Sequence, residues 1–210
     1  MVEKQATISF VIILFVLITP VLAANTQGFS WGLDEGDRIG YSVTWKGSTS
    51  KQFYAVVVGL PNLPDKVTSM AFSVSLRFEL ENGTAYAFSF PGQFPMVLPM
   101  GNWAQISSLA QPELEQDYEN VDMNDGLITW GYTVSRVSTK YRTEITVEYL
   151  KEDGAIQSYN YEKMELDRAK VVDSCELRRS GGLLPIGTII LSIGVLAVAA
   201  IMIIRACRKK

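Results

Sequence analysis

Apolar and polar side chains alternate along much of the middle of the chain. From Arg38 to Trp45, the residues Ile39, Tyr41, Val43 and Trp45 share one face, and Arg38, Gly40, Ser42 and Thr44 share the other. A period of two with aromatic and β-branched residues predicts a half-buried strand. Gln52 to Leu60 is a second, less regular run, ended by Pro61, Asn62 and Pro64. The longest alternation is Val67 to Leu80, with Met70, Phe72, Val74, Leu76, Phe78 and Leu80 on one side. Asn82-Gly83 then predicts a tight hairpin into Ala85 to Phe90, where Tyr86, Phe88 and Phe90 continue the apolar face. Leu127 to Val137 aligns Ile128, Trp130, Tyr132 and Val134, and a third hairpin joins Tyr141–Leu150 to Ala155–Leu166 through Asp153-Gly154.

Between these runs the spacing changes. Trp103, Ile106 and Leu109 recur every three residues, and Leu114, Tyr118 and Val121 recur at four and three after Pro112, which suits a helix start. Two short helical pieces are expected there. The expected fold is mainly β: an antiparallel sandwich, a barrel or a strongly curved sheet, whose hollow is covered by the helical insert. The stretch from Asp167 to Gly182 has little periodicity and reads as a stalk, with room for one more strand at its start.

The two ends have a different pattern. Ile8 to Leu22 is an uncharged apolar run followed by the small residues Ala23 and Ala24, which predicts a signal peptide over 1–23 cut after Ala23. An uncleaved signal anchor is the alternative. Leu183 to Ile204 contains 22 residues without a charge, about 33 Å as a helix and a match to the hydrocarbon core. A transmembrane helix is expected, with the basic tail 205–210 (Arg205, Arg208, Lys209, Lys210) in the cytoplasm by the positive-inside bias. This organisation places an extracellular β-rich domain at 24–170 and a juxtamembrane stalk at 171–182, at the membrane of a single-pass surface protein.

Composition narrows what such a domain does. The chain has 210 residues and no His, which removes imidazole-based triads and the common zinc and haem ligand sets. Of its 19 Lys+Arg, five lie in the terminal segments (Lys4, Arg205, Arg208, Lys209, Lys210), and of its 22 Asp+Glu only Glu3 does. The outer domain with its stalk, residues 24–182, therefore carries 14 cations against 21 anions, a net charge of −7. Such a surface repels polyanions, so no nucleic-acid partner is expected. Cys175 and Cys207 fall on opposite sides of the expected membrane and cannot pair with each other. Cys175 is left free or linking two chains, and Cys207 is a palmitoylation candidate beside a reduced-spectator reading.

The opening residues Trp31, Leu33, Gly36-Asp37, Ile39, Tyr41 and Val43, with the later Tyr149, the Asp153-Gly154 hairpin and a terminal anchor, resemble choice-of-anchor single-pass surface proteins of archaea. The resemblance implies a location and a β-rich outer domain, with no activity attached.

Three constellations are candidates for chemistry. No Lys or Arg occurs between Arg77 and Arg136, where Glu79, Glu81, Glu113, Glu115, Asp117, Glu119, Asp122 and Asp125 are found. Asp122, Asn124 and Asp125 are spaced like a calcium loop, but Asp125 stands where the turn Gly belongs and the closing Glu is missing, so a solvated acidic face and no metal is expected. The proline-rich segment with Phe90, Phe94, Met96, Val97, Leu98, Met100 and Trp103 reads as an apolar ligand or contact loop, or as a crossover covering the core. Asn82-Gly83-Thr84 is an N-glycosylation sequon at a turn tip. No phosphate loop, nucleophile elbow or marked carboxylate pair appears, and no cofactor is expected. The expectation is a membrane-anchored binding or structural ectodomain without catalysis. Its partner would be a surface-layer protein, a second copy or an apolar ligand. A carrier or sensor of a lipid-like ligand in a curved sheet is the second reading, and a carboxylate-based hydrolase the third.

Overall fold

The computed structural model describes residues 27–92 and 94–180, so the expected signal peptide, transmembrane helix, basic tail and Cys207 lie outside the described residues. The strands are β1 (Arg38–Trp45), β2 (Lys51–Gly59), β3 (Ser75–Glu79), β4 (Asn120–Asp125), β5 (Thr129–Val137), β6 (Tyr141–Leu150), β7 (Ile156–Glu165) and β8 (Lys170–Arg179). One helix, α1 (Trp103–Asp117), lies between β3 and β4. All eight strands join a single antiparallel sheet in the order β3-β2-β1-β8-β7-β6-β5-β4. One sheet replaces the two-sheet sandwich entertained from sequence.

The order follows from two meanders, β1–β3 and β4–β8, and one long connection between them. Strands β4 to β8 form a meander, and β8 accepts β1 at its free edge, with Val43 opposite Leu177. Strands β3 and β4 are neighbours in sequence yet sit at opposite ends of the sheet. Seven strand spacings separate them, about 34 Å at the usual interstrand distance. The chain from Leu80 to Asn102 and then α1 must therefore cross the whole sheet, and it does so over one face.

That face carries the core. Tyr41, Val43, Phe53, Ala55, Trp130, Val134, Val147, Tyr149, Tyr159, Cys175 and Leu177 are all inaccessible or nearly so. The opposite face presents Ser42, Gln52, Arg77, Thr133, Glu144, Glu162 and Arg178, in keeping with an antiparallel sheet covered on one side only. The crossover is tied down by main-chain bonds: Leu98 N–H donates to Gly154 O at 2.8 Å, Ile156 N–H to Met96 O at 3.0 Å, and Ser30 exchanges bonds with Met100. Gly154 has φ +75°, and a Cβ there would lie 1.9 Å from Leu98 O, so only glycine permits this approach.

Four sequence expectations change. The alternation from Val67 to Leu80 yields a strand only at Ser75–Glu79, because β2 ends at Gly59 opposite Ser75 and offers residues 67–74 no partner. Val67 is buried, and residues 69–74 still alternate between exposed and half-buried. The Asn82-Gly83 turn forms, with Gly83 at φ +78°, but its return arm makes only the Glu79–Ala85 bridge and two flanking bonds. The two helical pieces are one helix with Pro112 in its interior, started by Asn102, whose Oδ1 accepts from Gln105 N–H at 3.2 Å. Val121, assigned to the second piece, lies in β4 instead. Finally, the expected stalk at 171–182 is, as far as Arg179, the strand β8 in the middle of the sheet, so the β domain extends past residue 170.

Candidate functional site: a cleft between the helix and the sheet

Helix α1 lies across β4 and β5. Trp103, Ile106 and Ala110 are its buried positions, spaced by three and four as one helical face requires. The Trp103 ring stands 5.7 Å from that of Trp130, whose Nε1–H donates to Ser107 Oγ at 2.7 Å. One bond thus fixes the helix to the sheet where both rings exclude water.

Beyond Ala110 the helix lifts from the core and a cleft of about 670 Å³ opens. Gly92, Phe94 and Pro95 of the crossover and the unpaired segment Met70–Phe72 form its other walls, and Tyr132 of β5 lies at its base. Leu114, Phe94 and Phe72 supply apolar surface; Glu113 and Asp117 mark the helix side. Glu113 is already engaged, since its Oε1 accepts from Met70 N–H at 3.1 Å and ties the segment to the helix.

The tyrosines beneath the crossover act as posts. Tyr149 donates its hydroxyl to Pro95 O at 2.9 Å, and Tyr159 donates to Pro91 O at 2.6 Å. Tyr41 donates to Ile156 O at 3.1 Å within the same core. Burial pushes the hydroxyls of Tyr41, Tyr132, Tyr149 and Tyr159 above the ordinary phenol range, so all four are neutral at physiological pH. Tyr132 also shares a side-chain hydrogen bond with Tyr149. The cleft therefore has an apolar body, the neutral Tyr132 hydroxyl at its base and the carboxylates Glu113 and Asp117 on its helix side, a mix of apolar surface and a few polar groups that suits a small ligand with an apolar part.

The residues expected in the contact loop divide. Met96, Val97, Leu98 and Trp103 are buried core residues. Phe90 packs on Tyr159 at 4.7 Å, and Met100 is half-buried against Ser30. Of the seven, Phe94 lines the cleft, with its ring 5.9 Å from Tyr132. Leu114, Phe72 and Tyr132 were not singled out as site residues from sequence; their apolar character gave no sign that chain crossing would gather them. Asn82 is exposed at its turn, with Oδ1 accepting from Thr84 N–H at 3.0 Å.

Asp122, Asn124 and Asp125 lie along β4 rather than in a loop, and Asp125 pairs with Lys151. Glu79 is buried between Arg38 at 2.8 Å and Arg77 at 3.4 Å. Among the described residues no group of three or more acidic or Cys side chains converges on a point that could hold a metal. Cys175 is fully buried and its thiol is pushed up to about 12 by burial, so the interchain link entertained from sequence is closed to it in the folded state. No helix among the described residues is long and apolar enough to cross a membrane.

No family model, curated protein or solved structure matches this chain.

Proposed function

We propose that the protein is a membrane-tethered, non-catalytic binding module of the cell surface, whose outer domain holds an apolar chain in the cleft under α1. The terminal apolar segments 8–22 and 183–204 and the basic tail support the tethering, as does the resemblance to anchored surface proteins of archaea. The observation that carries the binding reading is the 670 Å³ cleft itself, whose body is made by Phe72, Phe94 and Leu114. A sheet that curls around its covered face accounts for the hollow: the crossover fills the β1–β8 side with aromatic rings and leaves the β5 side to α1. Tyr132 at its base is neutral and the buried Cys175 is a thiol rather than a thiolate. This leaves the arrangement suited to holding a molecule rather than transforming it.

The test uses the full chain in phosphatidylcholine vesicles and radiolabelled octanol in equilibrium dialysis, with empty vesicles subtracted. Excess binding is expected, and Ala71→Trp, which fills the cleft from its exposed rim, should abolish it. Equal uptake by loaded and empty vesicles would remove the ligand reading and leave a structural or adhesive surface domain in its place.

A further inference from the structure

A second cavity, of about 390 Å³, adjoins the first: Gly92 and Tyr118 line both. Its character is different. Strands β5, β6 and β7 place Arg136 opposite Thr143, and Thr143 opposite Lys163, in one row across the covered face. Each of the outer two continues an apolar series, Trp130-Tyr132-Val134-Arg136 and Tyr159-Tyr161-Lys163, so both cations share the core parity of their strands, Arg136 exposed near its strand end and Lys163 half-buried. Two interstrand steps separate their backbones, about 9.6 Å. Burial and then Asp117 raise the Tyr118 hydroxyl, and Arg136 acts on it in the opposite sense; Lys163 Nζ sits 4.5 Å from the Tyr141 ring centroid. Neither cation makes an ion pair within 4.0 Å among the described residues. The nearest opposing charge in the row is Asp173 of β8, opposite Lys163.

We infer that this cationic cavity receives the anionic head, phosphate or carboxylate, of an amphiphile whose chain occupies the apolar cleft. This rests on the ligand reading proposed above and adds to it the head group and the direction of binding. Charge sets that direction: Glu113 and Asp117 flank the helix end of the cleft and repel an anion, while Arg136 and Lys163 stand beyond Tyr118 at the other end. In a domain that carries net −7, with no Lys or Arg between Arg77 and Arg136, these two cations, Arg136 exposed and Lys163 half-buried, both line one cavity without an ion pair, which leaves them available to a bound anion. The tyrosines around them give hydroxyls and ring faces that hold a head group without adding charge.

The same vesicles test this with octyl phosphate, octanol and inorganic phosphate. Octyl phosphate should bind at least tenfold more tightly than octanol, and inorganic phosphate should bind too weakly to measure. Arg136→Gln combined with Lys163→Gln should erase the octyl phosphate advantage and leave octanol affinity unchanged, which also reports that the variant is folded. Independently of any variant, raising salt should weaken octyl phosphate binding to the wild type and spare octanol. Equal affinity for octyl phosphate and octanol in the wild type would overturn the head-group assignment while preserving the cleft. Inorganic phosphate bound as tightly as octyl phosphate would overturn it in favour of a free-anion site. Failure of octanol to bind at all would instead be the failure of the ligand reading.

Discussion

Tyr149 of β6 and Pro95 of the crossover are 54 positions apart in the chain, yet the tyrosine hydroxyl donates to the proline carbonyl at 2.9 Å. Together with Tyr159 on Pro91, this contact decides where the crossover lies. Proline has no N–H to offer the sheet, so at Pro91 and Pro95 the strap is held through its carbonyls, and a phenol standing on the sheet is the donor that reaches them.

Removing those donors loosens the strap. Tyr149→Phe and Tyr159→Phe should each cost about 1–2 kcal/mol, the range for a lost hydrogen bond whose acceptor is left part-buried. Urea denaturation of the full chain followed by tryptophan fluorescence measures this. Because Phe94 lies between the two anchored prolines, Tyr149→Phe should also weaken octanol binding. An unchanged midpoint in both variants would show that the strap is held by packing and its main-chain bonds without the phenols.

Gly154 is a harsher test of the same contact. Gly154→Ala combines a left-handed φ with a Cβ 1.9 Å from Leu98 O, so backbone must move on one side or the other. A loss of more than about 3 kcal/mol, or failure to fold, is expected. Gly47→Ala, at φ +73° with open space around its Cβ, isolates the conformational part and should cost only about 1 kcal/mol. Comparable melting temperatures for the two variants would contradict the close approach.

Buried ionisable groups make the domain sensitive to alkali. Cys175 has its thiol raised from 9.0 to about 12, and the buried tyrosines are raised above 10.0. A group whose folded pKa is raised stays protonated longer in the native state. Its stabilising contribution is whole below the unfolded pKa and is lost as pH rises towards the folded value. Stability should therefore hold up to about pH 9 and fall between there and pH 12, and Cys175→Ala should make the first part of that fall shallower. In a Cys207→Ser background, a maleimide should leave the native protein unmodified and label it fully in denaturant. Rapid native labelling would show that β8 is accessible from the covered face.

What could be read from the sequence depended on what each pattern measures. Residues 141–150 and 38–45 were legible because a strand with one buried face prints its burial as alternation. The same signal overran at 67–74, where alternate side chains are half-buried without any partner strand, since period two reports burial and not hydrogen bonding. Strand β8 was missed for the opposite reason. Its covered face carries Asp173 and Cys175 beside Leu177, too few apolar residues to stand out, although the strand is central. Strand β4 was obscured by its acids, with only Val121 and Met123 turned towards the core. The cleft depended on a crossover between opposite edges, which local pattern does not encode. The cationic row was legible in part: Arg136 and Lys163 fall on the core parity of their strands, but that they line one cavity depends on the pairing of β5, β6 and β7.

The orientation of the whole molecule has its own test, and the fold supplies the cutting site. Lys66 is exposed in the irregular connection between β2 and β3, outside any strand. The cation-free stretch from Arg77 to Arg136 gives trypsin nothing to cut in the crossover or in α1. If the β domain faces outward, trypsin added to intact cells should nick the chain first at Lys66, and the stretch containing α1 should persist inside a longer-lived fragment. Lys66→Gln should delay that first cut several-fold without altering the later ones. If instead cutting at Lys66 requires that the cells be opened, the domain lies on the inner side, and both the tether direction and the surface role fall together.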